Sequence, residues 1–239
     1  MKKTAILFAA LAVCAGVNAQ EPRSSYSVTT DFTYASKYIF RGVDAAPDSD
    51  SFQGSVEVGV KDFYVGVWTN QPITKNLDNE IDLYAGYKWT LTDNLTAEVV
   101  GTYYWYPEAG SGGFKHSTEL GAGATYTVSG ISTSLYGYYD IDQKVTTWQA
   151  SVGYSLPLEA IGASLDFSGY YGIADGDDWL NAGVEEQYNY YGVDVSLPYK
   201  LSEKATFTLA GHWAQNDQLF DGSVDDDHLW WTASLTVGF

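Results

Sequence analysis

The sequence predicts an all-β chain: a transmembrane antiparallel up-and-down β-barrel of twelve strands behind a cleaved signal peptide. Three observations predict it. Apolar and polar residues alternate with period two almost throughout. Short and long connections alternate between the alternating segments. The chain opens on a targeting signal and closes on an aromatic residue, Phe239.

Residues 1–19 read as the signal peptide and 20–239 as the barrel. Lys2 and Lys3 give a positive start, Ala5 to Val13 is an apolar run, and Val17-Asn18-Ala19 supplies small residues for cleavage. The run is far short of the roughly 20 apolar residues a spanning helix needs. The single cysteine, Cys14, leaves with this segment, so the remaining chain has neither disulfide nor thiol chemistry.

The first strand, 25–41, is the clearest. Tyr26, Val28, Thr30, Phe32, Tyr34, Tyr38 and Phe40 fall on one face and Ser27, Thr29, Asp31, Thr33, Lys37 and Arg41 on the other. Successive strand residues point to opposite faces, so one face is apolar and the other polar. The same pattern recurs over 52–60, 63–70, 80–90, 95–106, 117–128, 131–142, 146–156, 163–173, 188–199, 206–214 and 229–239. Val56, Val65, Leu83, Val99, Leu120, Leu135, Trp148, Phe167, Val193, Leu209 and Leu235 mark the outward face of these eleven repeats. An even strand number suits a single-chain barrel. Hydrocarbon offers no water to backbone N–H and C=O groups, so spanning strands must close on themselves.

Short turns are expected at Lys61-Asp62, Thr92-Asp93-Asn94, Ser129-Gly130, 158–161 and Leu201-Ser202-Glu203. Longer links fall at 42–51, 71–79, 107–116, 174–187 and 215–228, with only 143–145 short. That asymmetry places the turns on the periplasmic side and the loops outside. The six prolines avoid strand interiors. Phe239, with Val237 and Leu235 on the same face, has the form of a signal read by the outer-membrane insertion machinery. Tyr26, Phe40, Trp89, Trp105, Trp148, Tyr199, Trp213 and Trp231 read as interfacial girdles.

Formal net charge is −18, and −20 once Lys2 and Lys3 leave with the signal. So acidic a chain excludes a nucleic-acid partner and draws cations. Strand phase puts Asp31, Glu57, Glu80, Asp82, Glu98, Glu119, Asp140, Asp142, Asp166 and Asp194 in the lumen, against Lys37, Arg41, Lys61 and Lys88. Such a lumen prefers cations weakly; alternatively its acids and bases pair and tie the wall together. Tyr64, Trp68, Tyr84, Tyr104, Tyr136 and Tyr138 also point inward. They either fill a narrow barrel, the reading we favour, or form an aromatic slide for sugars or nucleosides. Arg41, beside Gly42, is expected near the outer end of strand one, paired with Glu80, Asp82 or Glu119. It is either a charge at a constriction or half of a buried ion pair. No cofactor is implied. The outer loops are acidic, and Asp225-Asp226-Asp227 offers oxygens to Ca²⁺, but lacks the ligand spacing and glycine of a dedicated calcium loop.

Several stretches carry a family likeness: Ser36-Lys37-Tyr38-Ile39-Phe40-Arg41-Gly42, Phe52-Gln53-Gly54, Phe63-Tyr64-Val65-Gly66-Val67-Trp68-Thr69-Asn70, Glu80-Ile81-Asp82-Leu83-Tyr84-Ala85-Gly86-Tyr87, Tyr103-Tyr104-Trp105-Tyr106-Pro107 and Ser117-Thr118-Glu119-Leu120. Over residues 26–128 the sequence resembles the TorF family of porins, a Gcw-type family of conserved hypothetical outer-membrane proteins. The resemblance implies an outer-membrane channel and names no substrate.

The expected function is therefore passive passage of small hydrophilic solutes, with membrane lipid, lipopolysaccharide and the insertion machinery as partners. Two rivals remain. One is a non-conducting structural or adhesive barrel. The other is a lipid-modifying enzyme, for which His116, His212 and His228 are the only histidines and no Ser-His-acid spacing stands out.

Overall fold

The computed structural model describes residues 26–110, 115–176, 187–217 and 226–239. Twelve strands close into an antiparallel ring: β1 (Ser27–Ala35), β4 (Ser51–Val60), β5 (Phe63–Pro72), β6 (Glu80–Thr90), β7 (Leu95–Trp105), β8 (His116–Val128), β9 (Ile131–Asp140), β10 (Val145–Leu158), β11 (Ala163–Gly176), β12 (Gln187–Lys200), β13 (Ala205–Asp217) and β14 (Asp226–Gly238). The remaining pair, β2 (Ile39–Phe40) and β3 (Val43–Asp44), form a separate two-stranded sheet. Neighbours along the chain pair around the ring, and β1 closes it against β14 in register Thr30↔Val237 and Tyr34↔Ala233. Phe239 N–H donates to Val28 O at 2.9 Å, extending that seam by one residue.

Alternation governs which side each residue faces. Phe32, Leu83, Leu120, Leu135, Trp148, Val152, Tyr171, Val193 and Leu209 are exposed on the outside, while Ser51, Asn70, Glu80, Asp82, Ser117 and Glu119 are buried inside. A soluble monomer rarely shows a contiguous apolar patch beyond a few hundred Å². A belt around all twelve strands is the surface that lipid demands.

Connections at one end are short: 61–62, 91–94, 129–130, 201–204 and the 3-10 turn at Glu159–Ile161. Ser129 and Gly130 take φ of 52° and 79°, the left-handed pair of a two-residue hairpin. At the other end the links are longer, apart from 141–144. The predicted arrangement of the barrel thus holds, with strand limits within a few residues.

The first strand is the exception. It stops at Ala35, not Arg41, and residues 36–50 turn into the barrel instead of continuing along the wall. Phe40, read as a girdle residue, is buried inside with Tyr38 and Ala46 against Trp68. Two residues placed in the lumen by phase also stand elsewhere. Lys61 is at an exposed turn with φ 56°, and Asp142 is exposed in the 141–144 connection.

The lumen wall is built from a repeated pair. Tyr64 faces Gly86, Tyr84 faces Gly66, Tyr136 faces Gly123, Tyr138 faces Gly121, Tyr170 faces Gly192 and Tyr190 faces Gly172. In each pair the ring lies where a glycine Cβ would be; the phenol carbon of Tyr190, for example, comes within 2.1 Å of that position on Gly172. The tyrosines therefore lie flat along the wall, one strand over, instead of projecting to the axis. Tyr136 and Tyr190 are buried, as is Tyr104, whereas Tyr64 and Tyr84 stay partly exposed. An aromatic covering a strand glycine restores the packing that glycine lacks.

Candidate functional site

The lumen divides into two zones, and the inserted segment defines the upper one. Phe40-Arg41-Gly42-Val43 forms a tight hairpin with φ of 45° at Arg41 and 75° at Gly42. A left-handed arginine costs about 1–2 kcal/mol, and what its side chain reaches offsets this. Arg41 Nη1 and Nη2 donate to Glu119 Oε2 and Oε1 at 2.9 and 3.0 Å, and Nη1 also donates to Thr147 Oγ1 at 3.0 Å. Its guanidinium lies 4.8 Å from the Phe40 ring centre and 4.9 Å from that of Tyr138. It is 4% exposed. Burial is the largest influence and disfavours its charge, but Glu119 together with Tyr190 and Tyr104 outweighs burial and holds the guanidinium pKa above its ordinary value. Of the three partners anticipated for Arg41, Glu119 is the one engaged.

Gly42 docks the other side of the hairpin. Its carbonyl accepts a hydrogen bond from Asn216 Nδ2 at 2.6 Å. A Cβ there would lie 2.9 Å from Tyr190 Cβ and 3.0 Å from Gln215 O. Val43 packs on the buried cluster of Val145, Ala174, Tyr188 and Tyr190. One short hairpin thus joins β8 and β10 to β12 and β13.

Beneath this segment lie several residues assigned to the pore from sequence. Glu80, Asp82, Glu119, Asp140 and Tyr104 are all buried. Tyr104 donates to Glu119 Oε1 at 3.1 Å, and Tyr106 to Glu80 Oε1 at 3.0 Å. Asp140 accepts from Ser117 Oγ, from Gln143 Nε2 at 3.1 Å and from the Asp142 and Gln143 amides, so it fastens the 141–144 turn. Trp68 stands 5.6 Å from the Tyr38 ring. Lys37 is half-buried on the bend that leads into the segment.

The lower zone, toward the short turns, keeps its acids partly exposed. Glu98 accepts from Tyr64 and Tyr136, each at 2.6 Å, and lies 3.7 Å from Lys88 Nζ. Tyr84 donates to Glu57 Oε2 at 3.2 Å. Asp166 accepts from Ser155 at 2.6 Å, and Asp31 from Thr236 at 2.8 Å. Asp194 Oδ1 is 2.7 Å from His212 Nδ1, and His212 Nε2 is 3.0 Å from Thr232 Oγ1, with Trp230 stacked on the imidazole at 4.9 Å. Tyr64, Tyr84 and Tyr136 thus each cross one strand and end on an acid beyond it, and Tyr190 reaches across in the same way to Gln149 Oε1 at 2.9 Å. Here Asp31, Glu57, Glu98, Asp166 and Asp194 face one lysine, Lys88. At the closing seam, Leu235 pairs with Phe32 and Val237 with Thr30, while Phe239 is exposed.

Thr147, Asn216 and the inward Phe40 are the partners missed from sequence. The signal for the hairpin was present: Ala35 and Ile39 break the alternation, and Arg41-Gly42 stands between Phe40 and Val43 at hairpin spacing. The cleavage site, the Asp177, Asp178, Glu185, Glu186, Asp221 and Asp225 side chains, and the loops carrying them lie outside the described residues.

Three solved structures share the fold. The KdgM porin has a TM-score of 0.60 at 9% identity, over 88% of this chain and 99% of that one. The NanC porin has a TM-score of 0.59 at 11% identity, over 88% and 98%. The COG4313 outer membrane channel from Pseudomonas putida F1 has a TM-score of 0.53 at 10% identity, over 94% and 100%. Comparison with curated protein sequences gives no match. A family model described as "Bacterial protein of unknown function (Gcw_chp)" matches residues 19–236. That span extends well past the 26–128 stretch in which the motifs were recognised.

Proposed function

This chain belongs to the Gcw_chp family, and from that premise we propose that it is an outer-membrane, porin-like channel for small hydrophilic solutes, with a weak cation preference and an outer mouth narrowed by residues 36–50. One observation carries the reading. Inside an apolar exterior, the lower lumen keeps a polar wall whose tyrosines lie flat and whose acids stay within reach of water. A barrel made only as a peg has no use for such a wall. Fixed carboxylates lower the energy of a passing cation and raise that of an anion. The porin fold of the neighbours supports the reading, as do the outward aromatics, which suit membrane lipid and lipopolysaccharide. The exposed Phe239 suits the insertion machinery.

The test is conductance in planar bilayers. The expected results are discrete steps, a reversal potential of cation-selective sign in a salt gradient, and larger steps once residues 36–50 are replaced by an Asn-Gly turn. Ala35 already pairs with Ser51, so β1 and β4 can be joined there directly. Silence from both proteins would overturn the reading.

A non-conducting structural barrel is the second reading, favoured by the burial of Arg41, Glu119, Tyr188 and Tyr190 in the upper zone. Wild-type silence together with a conducting excised variant would assign the closed form to the segment. The enzyme reading finds its nearest geometry in Asp194, His212 and Thr232. Their strands are fully paired there, at Asp194↔His212 and Ala210↔Thr232. Ladder N–H groups committed to pairing cannot serve a developing oxyanion. We read the three residues as a tie across the wall.

A further inference from the structure

The lower lumen is lopsided. On the side of β4 to β8 its wall carries long side chains: Glu57, Tyr64, Tyr84, Lys88 and Glu98. On the side of β9 to β14, below Tyr136, Tyr170 and Trp230, it carries short ones. Ser134, Ser151, Ser155, Ser168, Thr208 and Ser234 are among them, all half-buried. They face inward because their neighbours face lipid, as Val152 does beside Ser151 and Phe167 beside Ser168. Side chains that reach less far from the wall leave the free cross-section on their own side.

The charges divide the same way. On the long side, Glu98 accepts from Tyr64 and Tyr136 and lies 3.7 Å from Lys88 Nζ. Its side chain is 11% exposed. Seen from across the lumen, this carboxylate and this ammonium cancel. On the short side, the Asp194 side chain is 27% exposed. Its ion-pair partner, His212, is a cation only when protonated. Asp166, on the adjoining strand β11, accepts from Ser155 at Oδ1. Among the described residues, neither aspartate is in an ion pair with a lysine or arginine.

The two aspartates are also near each other. In the β11–β12 ladder Asp166 pairs with Ser196 and Ser168 with Asp194, so one strand step separates the two acids along the wall. The surface between them is hydroxyl. Serine and threonine hydroxyls both donate and accept hydrogen bonds, so this surface replaces part of the water around a solute that brushes past it. Open space, uncancelled negative charge and exchangeable hydrogen bonds therefore fall on one side of the barrel.

We infer that solutes pass along the β9–β14 side of the lumen and that Asp166 and Asp194 set the charge preference there, the Glu98–Lys88 pair being a self-cancelling part of the opposite wall. The inference rests on the channel reading and adds to it the path and the residues that select. A fixed carboxylate favours a cation most where the ion comes close to it and where no neighbouring base offsets it. Asp166 and Asp194 meet both conditions, and Glu98 meets neither.

The experiment measures reversal potentials in planar bilayers under a potassium chloride gradient. It uses the full chain and, if that is silent, the variant with an Asn-Gly turn in place of residues 36–50. Asp166→Asn and Asp194→Asn should each lower the cation-to-anion permeability ratio about two- to fivefold, the effect of one unit charge a few ångströms from an ion in water. Both amides keep an acceptor for Ser155 or Ser168. Removing the opposite pair whole, by Glu98→Gln with Lys88→Met, should move the ratio less than either. Ser151→Trp and Ser168→Trp should shrink the conductance steps. If a tryptophan variant fails to refold, as judged by heat-modifiable migration in gels, the nearly isosteric amide variants decide. A ratio unchanged in both amide variants, or changed most by removing the pair, would overturn the inference and leave the channel reading standing. Silence from the full chain and the excised variant would overturn the channel reading, and the inference with it.

Discussion

Two adjacent residues at the hairpin tip make opposite demands. Arg41 needs a partner because it is buried, and Gly42 needs emptiness because backbone and side chains of β12 and β13 crowd it. Arg41→Ala strands the Glu119 carboxylate in the interior. It should lower stability by about 3–5 kcal/mol in urea unfolding from detergent micelles. Arg41→Lys should recover only part of that, because an ammonium cannot make the two parallel bonds to Oε1 and Oε2. Gly42→Ala adds a methyl group to a contact of 2.9 Å and keeps a positive φ. It should cost about 1–3 kcal/mol by the same measurement. A double-mutant cycle of Arg41→Ala with Glu119→Gln should show coupling above about 0.5 kcal/mol, as for residues in one network.

At the scale of the element, the tyrosine–glycine pairs set what each strand can carry. Gly123→Ala would bring a Cβ within 2.4 Å of the Tyr136 ring and 2.6 Å of Leu135 O; the latter is backbone and cannot swing away. A loss of about 1–3 kcal/mol is expected, with a shifted tyrosine signal in near-ultraviolet circular dichroism. Gly211, also in a strand, has nothing within 4 Å of its Cβ position. Gly211→Ala should therefore be neutral within about 0.5 kcal/mol, or slightly stabilising. The strands themselves were legible because lipid outside and water inside impose a period of two, which composition reports directly. The tyrosine pairs were not, because they depend on register. Nothing local to Tyr64 tells that Gly86 stands opposite it. The inserted segment falls between these cases. Ile39 and Ala35 marked a fault in the pattern, yet the alternation of Tyr34, Tyr38 and Phe40 ran on across it and read as wall. Apolar residues look the same whether they meet lipid or the inside of a plug. The pairing of Arg41 could be narrowed to three acids from strand phase alone. Only the depth of the hairpin selects Glu119.

Across the whole molecule the two zones differ in density. The long-loop end is packed with buried polar and aromatic side chains, and the short-turn end is ringed by partly exposed acids. Amide exchange should reflect this. N–H groups in the outer halves of β8, β10, β12 and β13, beside the inserted hairpin, should exchange more slowly than those near Lys88, Glu98 and Asp166. Excising residues 36–50 should flatten the gradient without changing the far-ultraviolet strand signal, since the ring pairs around β1 and β4 regardless. A gradient that survives excision would show that the wall alone sets it.

The hairpin between β1 and β4 also acts as a strut. It leaves the ring near the closing seam, grips Glu119 and Thr147 on one arc and touches Asn216 and Tyr190 on another. A hollow cylinder squeezed from the side yields by becoming oval, and a cross-member anchored on separate arcs opposes that change of shape. The bilayer presses on all sides of the barrel, so the outer rim should stay round under lateral load while the unbraced rim breathes.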